Sequence, residues 1–279
     1  MSRLSLVTIN SDRDEHLVRC LEGVDRSRRA PDQTIVVAIG GAKPVVPKDV
    51  IVVTAPGGGL ALAHARNVGR RSANGDILVF LDVDCIPSCD LVGALEAAVA
   101  ENDGLVCGEV LYLTQPVESG WTEQALCIQG MRHPARDFPE SGVVLAPDPG
   151  LFWSLAFAVR AETYDRLNGF DEGFVGYGGE DTDLAFRASS EGVPILFQGH
   201  GCAFHQRHAA YDPPLQHCAD IVRNALRFHA AHGVWPMRGW LEAFAAIGVV
   251  DFDGVRLSLC RLPTEAEIAA HQVPPDRPF

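Results

Sequence analysis

The chain has 279 residues, 47% of them apolar, with 36 acidic against 23 basic side chains and a formal net charge of −13. The acidic balance argues against a nucleic-acid binder, which carries a basic face, and the apolar fraction suffices for a globular core. No run approaches the roughly 20 consecutive apolar residues of a membrane span, and MSRLSLVTIN enters a strand pattern without a signal-peptide layout, so a soluble, cytoplasmic protein is expected, with peripheral membrane contact left open.

LSLVTI (4–9) is short, apolar and rich in β-branched residues, which predicts a strand. From Asp14, the residues Leu17, Val18, Leu21 and Val24 recur at helical spacing. TIVVAIG (34–40) and VIVVTA (50–55) predict the next two strands, and PGGG (56–59) a loop. Leu60 to Ser72 reads as a helix stopped at Asn74-Gly75, followed by the strand DILVFLD (76–82). Ser88 is placed to cap a helix whose Leu91, Leu95, Ala98 and Val99 share one face. Strands alternating with helices imply a mainly parallel sheet. In such sheets, ligands sit beyond the carboxyl ends of the strands, and Asp82 and Asp84 stand at such an end.

The pattern changes near residue 105. GLVCGEVLYL predicts a strand, and residues 114–150, with five prolines, predict irregular loops. LFWSLAFAVR (151–160) predicts a strand, AETYDRLNG (161–169) a short helix, and Asp181 to Glu191 a longer one. PILFQG (194–199) and GCAFH (201–205) read as two strand pieces. Asp212-Pro213-Pro214 predicts a helix start, with an apolar stripe of Leu215, Cys218, Ala219, Val222 and Leu226, and PPDRPF a loose tail. The eight cysteines, Cys20, Cys85, Cys89, Cys107, Cys127, Cys202, Cys218 and Cys260, show no paired CxxC spacing. Most are expected to be small, reduced core residues.

Four stretches carry chemistry. In DVD (82–84), side chains two apart on an extended chain point the same way, and paired carboxylates at a sheet mouth suit Mg²⁺ or Mn²⁺. The tripeptide alone is common. Arg66 and Asn67 fall in the helix leading into that strand, where a guanidinium can meet phosphates or brace the aspartates. In GYGGEDTD (176–183), Gly176, Gly178 and Gly179 lead into Glu180, Asp181 and Asp183. Acids at a helix start are stabilising in themselves, but three glycines before them are a costly way to build a cap. HQRH (205–208) offers His205 and His208 to an oxygen-rich metal site.

GLALAHARNVGRRSANGDILVFLDVDCIP and LNGFDEGFVGYGGEDTDLAFR, in this order and spacing, resemble blocks of the family 2 glycosyltransferases of GT-A fold, the second block being similar to that of β-1,4-galactosyltransferases and polypeptide N-acetylgalactosaminyltransferases. The resemblance covers roughly residues 4–210. It implies a Rossmann-like, mixed, mainly parallel sheet flanked by helices. Residues 1–105 would form the nucleotide-sugar half of one domain, 106–210 the acceptor and catalytic half, and 211–279 a C-terminal helical extension and tail. It implies a metal-dependent, inverting transfer from a nucleotide-diphosphate sugar, a UDP-sugar foremost, to a glycan, lipid-linked or small-molecule acceptor. Asp84 would bind Mn²⁺ or Mg²⁺ with His205, or His208 in its place, and Asp82 would face the ribose. Thr8, Asn10 and Arg66 would meet the donor, and Tyr177, Gly178, Gly179 and Glu180 the acceptor. Asp181 would be the general base, weakened by its place at a helix N-terminus, which favours the ionised form.

Three departures qualify the resemblance. VVAIGGAKP lacks the family's acid after the second strand, Tyr177 replaces its tryptophan, and Thr182 stands where the galactosyltransferases have an aspartate. Two other readings compete. A sugar nucleotidyltransferase would carry a glycine-rich basic loop after the first strand, where this chain has TINSDRDEH. A catalytically silent sugar-nucleotide-binding module would have no need of Asp84, Asp181 and the late histidine together. Trp121, Trp153, Tyr177 and Trp235 are candidate sugar-stacking surfaces.

Overall fold

The computed structural model describes residues 2–40, 43–56, 60–274 and 277. Most of PGGG, part of GGAKP and most of the PPDRPF tail fall outside the described residues. The amino-terminal half is a run of alternating elements: β1 (Leu4–Asn10), α1 (Asp14–Asp25), β2 (Gln33–Ile39), β3 (Ile51–Ala55), α2 (Leu62–Ser72) and β4 (Ile77–Leu81). β3, β2, β1 and β4 lie side by side, all parallel. β1 shows why. Val7 and Ile9 face one apolar layer with α2, while Leu4 and Leu6 face the other with Cys20 and Val24 of α1. Both faces are covered, so the strand reads as a continuous apolar run.

The chain then gives β5 (Cys85–Pro87), α3 (Leu91–Glu101), β6 (Leu105–Leu113), α4 (Glu123–Gln129), β7 (Gly130–Arg132), β8 (Val143–Leu145), β9 (Ala156–Arg160), α5 (Ala161–Arg166), α6 (Glu180–Ser190) and β10 (Ile195–His205). The full order is β3-β2-β1-β4-β9-β6-β10-β5, with β7 on β6 and β8 on β10. β9 is antiparallel to both β4 and β6, so one sheet continues across residue 105.

Several local expectations change. The two strand pieces at 194–205 are one strand, β10, bent by a register shift between Gln198 and Cys202. Residues 114–150 are not wholly irregular, because α4 is capped by the Thr122 side chain and β7 and β8 pair with the sheet. Ser88 does not cap α3. Its hydroxyl accepts from the Cys202 backbone and ties β10 to the start of α3. The strand predicted over 151–160 begins at Ala156, after a 3-10 turn at Pro149–Leu151.

The extension holds α7 (Cys218–His232), α8 (Arg238–Ile247), the antiparallel pair β11 (Val250–Phe252) and β12 (Leu257–Leu259), and α9 (Glu265–Ala270). It packs its own core around Ile221, Ala225, Leu241 and Phe244. α7 starts at Cys218 rather than beside Pro214, whose ψ of 69° is not helical. Its buried stripe is Cys218, Ile221, Val222, Ala225 and Phe228, and the predicted Leu226 is exposed. All eight cysteines are free, and Cys127 and Cys260 are exposed. Among the described residues, no helix is long and apolar enough to cross a membrane.

Candidate active site

Sheet register builds the first cluster. Antiparallel pairing sets His205 opposite Cys85, and parallel pairing sets the same residue opposite Tyr112. Asp84, one residue before β5, therefore meets the end of β10, and the Gln206 N–H donates to its carbonyl at 2.6 Å. His205 Nε2 lies 3.6 Å and His208 Nε2 3.4 Å from the Asp84 carboxylate. The candidate ligand atoms of these three residues all fall within 4.8 Å of one another. Arg13, from the β1–α1 loop, also pairs with Asp84. Burial opposes ionisation of Asp84, but His205, His208 and Arg13 outweigh it and hold the carboxyl well below the usual range. Burial lowers His205 to about 4, so its imidazole is neutral near pH 7 and has a lone pair for a cation.

The two aspartates of DVD do not point the same way, because they do not lie on a straight strand. β4 ends at Leu81, and the Cys85 N–H donates to the Asp82 carbonyl at 2.9 Å, closing a turn over 82–85. Asp82 turns instead to Arg66. The Arg66 guanidinium, 3% exposed and 5.0 Å over the Phe170 ring, donates to Asp82 at 3.1 Å and to Glu180 at 3.0 Å. One buried arginine thus ties the DVD turn to the GGED helix. Burial pushes the Asp82 carboxyl up, against the pull of Arg66.

The glycine loop forms the second cluster. Gly176 has a φ of 81°, strained for any other residue, and a Cβ there would stand 2.1 Å from the Asp220 carboxylate, which would have to move. Its N–H donates to Leu60, joining the loop to the segment before α2. Gly179, at φ 91°, is the N-cap position of α6. Asn224 of α7, 1% exposed, donates to the carbonyls of Val175, Tyr177 and Gly178 at 3.2, 3.2 and 2.8 Å. Asn67 holds the LNGFDE turn by donating to the Phe170 carbonyl and accepting from the Phe170 N–H and the Tyr164 hydroxyl.

Asp181 accepts from the Thr182 N–H at 2.7 Å and from the Ser154 backbone. The helix N-terminus does not make it a weak base. Burial, followed by the charge of Glu180, pushes its carboxyl up to about 6 against Arg66 and these N–H donors. Local reasoning from the helix end missed the larger cost of desolvation.

The remaining candidates are placed as follows. Thr8 lies inside β1, 1% exposed. Asn10 closes the strand, its amide donating to Asp14 while its carbonyl accepts from the Arg13 N–H. Tyr177 is stacked on His217 at 4.4 Å, so one face of its ring is covered. Gly178 has a φ of 90° and its carbonyl is held by Asn224. Trp121 is buried under Arg26 and bonded to Glu22, and Trp235 stacks on His229 in the extension. Only Trp153 and Tyr177 of the four aromatic candidates adjoin the two clusters, Trp153 as the chain neighbour of Ser154. Sequence reasoning missed Arg13, Tyr112, Ser154 and Asn224. The one available signal was Arg13, a cation in the loop after the first strand.

Comparison with known proteins bears on the family and the fold. The model described as "Glycosyl transferase family 2" matches residues 28–156, and the one described as "N-terminal domain of galactosyltransferase" matches residues 150–209. Validoxylamine A glucosyltransferase of Streptomyces hygroscopicus subsp. limoneus is 30% identical over 227 residues, covering 69% of this chain and 49% of the relative. Polypeptide N-acetylgalactosaminyltransferase 11 of Xenopus tropicalis is 28% identical over 190 residues, covering 62% and 30%. The chain thus spans about half the length, or less, of the curated relatives it matches. Among solved structures, GalNAc-T7 with UDP, GalNAc and Mn²⁺ superposes with a TM-score of 0.57 at 16% identity, covering 74% of this chain and 43% of that one, which bears on the fold. The two family models, which overlap over residues 150–156 at the entry to β9, and the fold place the chain among the family 2 glycosyltransferases of GT-A fold, with a galactosyltransferase-type block at its carboxyl side.

Proposed function

We propose that this chain transfers a sugar from a nucleotide-diphosphate donor to an acceptor hydroxyl with inversion, Asp181 acting as general base. The observation that carries the reading is the convergence of two differently tuned acidic clusters, tied together by Arg66. The anionic Asp84 with neutral His205 and neighbouring His208 is a mixed oxygen and nitrogen donor set, in which the carboxylate suits Mn²⁺ or Mg²⁺ and the imidazoles favour Mn²⁺ of the two. When bound, such a cation neutralises charge on the departing diphosphate. The GalNAc-T7 structure holds UDP, which makes uridine diphosphate the first carrier to test.

Asp181 takes the proton of the acceptor hydroxyl as that oxygen bonds to the anomeric carbon. The bond from carbon to the diphosphate oxygen breaks on the opposite face, and the electron pair leaves with the nucleotide diphosphate. The transition state has oxocarbenium character. A carboxyl near pH 6 is a more effective base than an ordinary aspartate. Glu180, fixed by Arg66, and the loop carbonyls fixed by Asn224 hold the acceptor side. A small-molecule acceptor is favoured over a polypeptide one, because the glucosyltransferase relative shares the higher identity over the longer span.

The test is turnover of UDP-sugars with and without Mn²⁺, in the wild type, Asp84→Ala and Asp181→Asn, with the anomeric configuration of the product read by NMR. Metal-dependent turnover with inversion, lost in both variants, is expected. Retention of configuration, or full activity in Asp181→Asn, overturns the reading. Donor binding without turnover across an acceptor panel would favour a silent binding module.

A further inference from the structure

Arg136 has no part in the two clusters, yet it is 4% exposed. Its guanidinium stands over three rings, Phe138 at 4.9 Å, Trp153 at 5.0 Å and Phe197 at 5.2 Å. Nε and Nη2 are enclosed, and among the described residues no acceptor reaches either. These two nitrogens form the edge of a guanidinium that takes an oxyanion by two parallel hydrogen bonds. An arginine does not shed its charge, and a buried cation without a counter-charge is strongly unfavourable. Rings relieve only part of that cost.

The nearby acids, Glu109 and the chain neighbour Asp137, accept no hydrogen bond from either nitrogen. Cys107, beside Arg136, interacts with the guanidinium through both charge and a hydrogen bond, yet burial pushes its thiol up to about 11, so this partner is neutral at pH 7. Glu109, the carboxylate that acts on it across the segment, is already paired with Arg132 at 2.9 Å.

Position gives the orphaned edge its meaning. A continuous row of rings runs from the Asp84 cluster to this guanidinium: His205 to Tyr112 at 4.9 Å, Tyr112 to His133 at 5.8 Å, and His133 to Trp153 at 4.7 Å. Trp153 adjoins Ser154, whose backbone holds Asp181. Arg136, Asp84 and Tyr177 all act on the Tyr112 phenol, so all three stand within electrostatic reach of it. A row of rings is a stacking surface for pyranose faces, and a cation at its end is a charge reader.

We propose that Arg136 is an oxyanion site at the end of this aromatic row, and that the pyranose substrate lying along it carries a carboxylate or phosphate. The placement of the substrate rests on the glycosyl-transfer reading above. The oxyanion can belong to the transferred sugar or to the acceptor, and the two sources separate experimentally. Reaching the Nε/Nη2 edge requires the exposed Pro134–Ala135 turn and Asp137 to give way.

The test is calorimetric titration in two arms. The donor arm compares UDP-glucuronate with UDP-glucose in Mn²⁺. The acceptor arm compares glucuronate and glucose 6-phosphate with glucose, on protein with and without UDP and Mn²⁺. In one arm the charged ligand is expected to bind about tenfold tighter or more, the preference falling to parity in Arg136→Gln and returning in part in Arg136→Lys. Parity in both arms of the wild type overturns the proposal without recourse to any variant. A preference unchanged in a folded Arg136→Gln also overturns it, leaving a cation packed between rings. Failure of UDP to bind overturns the donor reading alone, because the acceptor arm on unloaded protein still decides on Arg136.

Discussion

Asp84 and Asp181 both act on Tyr177 within the candidate site but are held by different parts of the molecule. Asp84 is placed by strand register, with β5 and β10 fixing it against His205 and His208. Asp181 is placed by a glycine loop and a helix start, which α7 secures through Asn224 and through His232, 2.8 Å from Asp183. Their electrostatics diverge accordingly. Imidazoles and Arg13 hold Asp84 low, while burial and Glu180 push Asp181 up to about 6. Under the proposed reading the two carboxylates suit opposite tasks, one staying ionised beside a cation and one accepting a proton.

The sharpest way to break this contrast is to remove each acid in turn. Asp181→Asn is expected to lower kcat by about a thousandfold or more, within the range for loss of a general base in a positioned site, with binding of Mn²⁺ and UDP unchanged. Asp84→Ala is expected to abolish the Mn²⁺-dependent rise in Tm altogether. Steady-state kinetics and thermal melts with the metal separate the two. In the wild type, the acid limb of kcat/KM is expected near pH 6, because Asp181 must be ionised to accept a proton. A limb near pH 4 would mean that burial does not govern this carboxyl.

Asn224→Ala sharpens the comparison from the scaffold side. Three carbonyls of the loop lose their donor, which is expected to cost about 1 to 3 kcal/mol. The loop is then free to shift, and kcat is expected to fall about tenfold with Mn²⁺ affinity unchanged. A variant that loses metal affinity as well would show that the two clusters are not independently supported.

The contrast also explains which parts were legible in the sequence. β1, β2 and β4 announce themselves because a strand covered on both faces is an unbroken apolar run. Asp84, Asp181 and His205 are marked by their places after a strand or at a helix start. Their partners are not, because Arg13, Tyr112 and Ser154 reach the site through register and loop closure rather than spacing. Asn224 is hidden among the apolar positions of α7, and Arg136 in a proline-rich stretch without periodicity. The divergence of Asp82 from Asp84 depends on a turn that DVD alone does not specify.

Stability offers a smaller effect of defined sign. In the unfolded chain an aspartate titrates near pH 3.9 (roughly), and in the folded chain Asp181 titrates at about 6. Below both values the carboxyl is neutral in each state and costs nothing. As pH rises from about 4 to about 6 the unfolded chain ionises first, so stability is lost across that window and the loss is complete once the folded carboxyl also ionises. Asp181→Asn removes that cost. The variant is expected to be more stable than the wild type at pH 8, by on the order of 1 kcal/mol after solvent screening, and to match it at about pH 3, as read from Tm at the two pH values.

Arg13 provides the smallest test, and it concerns the metal side alone. In the structure its guanidinium pairs with Asp84, the same carboxylate that the cation would use, and its side chain is 41% exposed. A cation arriving at Asp84 must therefore displace a partner that is itself positively charged. With its arginine end exposed, the pair is worth about 1 kcal/mol, so the competition is modest. Arg13→Ala is expected to tighten Mn²⁺ binding about three- to fivefold in the absence of nucleotide, since 1.4 kcal/mol corresponds to a factor of about ten. With UDP present the sign can reverse, because the displaced guanidinium lies beside the place where the diphosphate would meet the metal. Titration of Mn²⁺ with and without UDP reads both. Weaker Mn²⁺ binding in the nucleotide-free variant would mean that Arg13 organises Asp84 for the cation instead of competing with it.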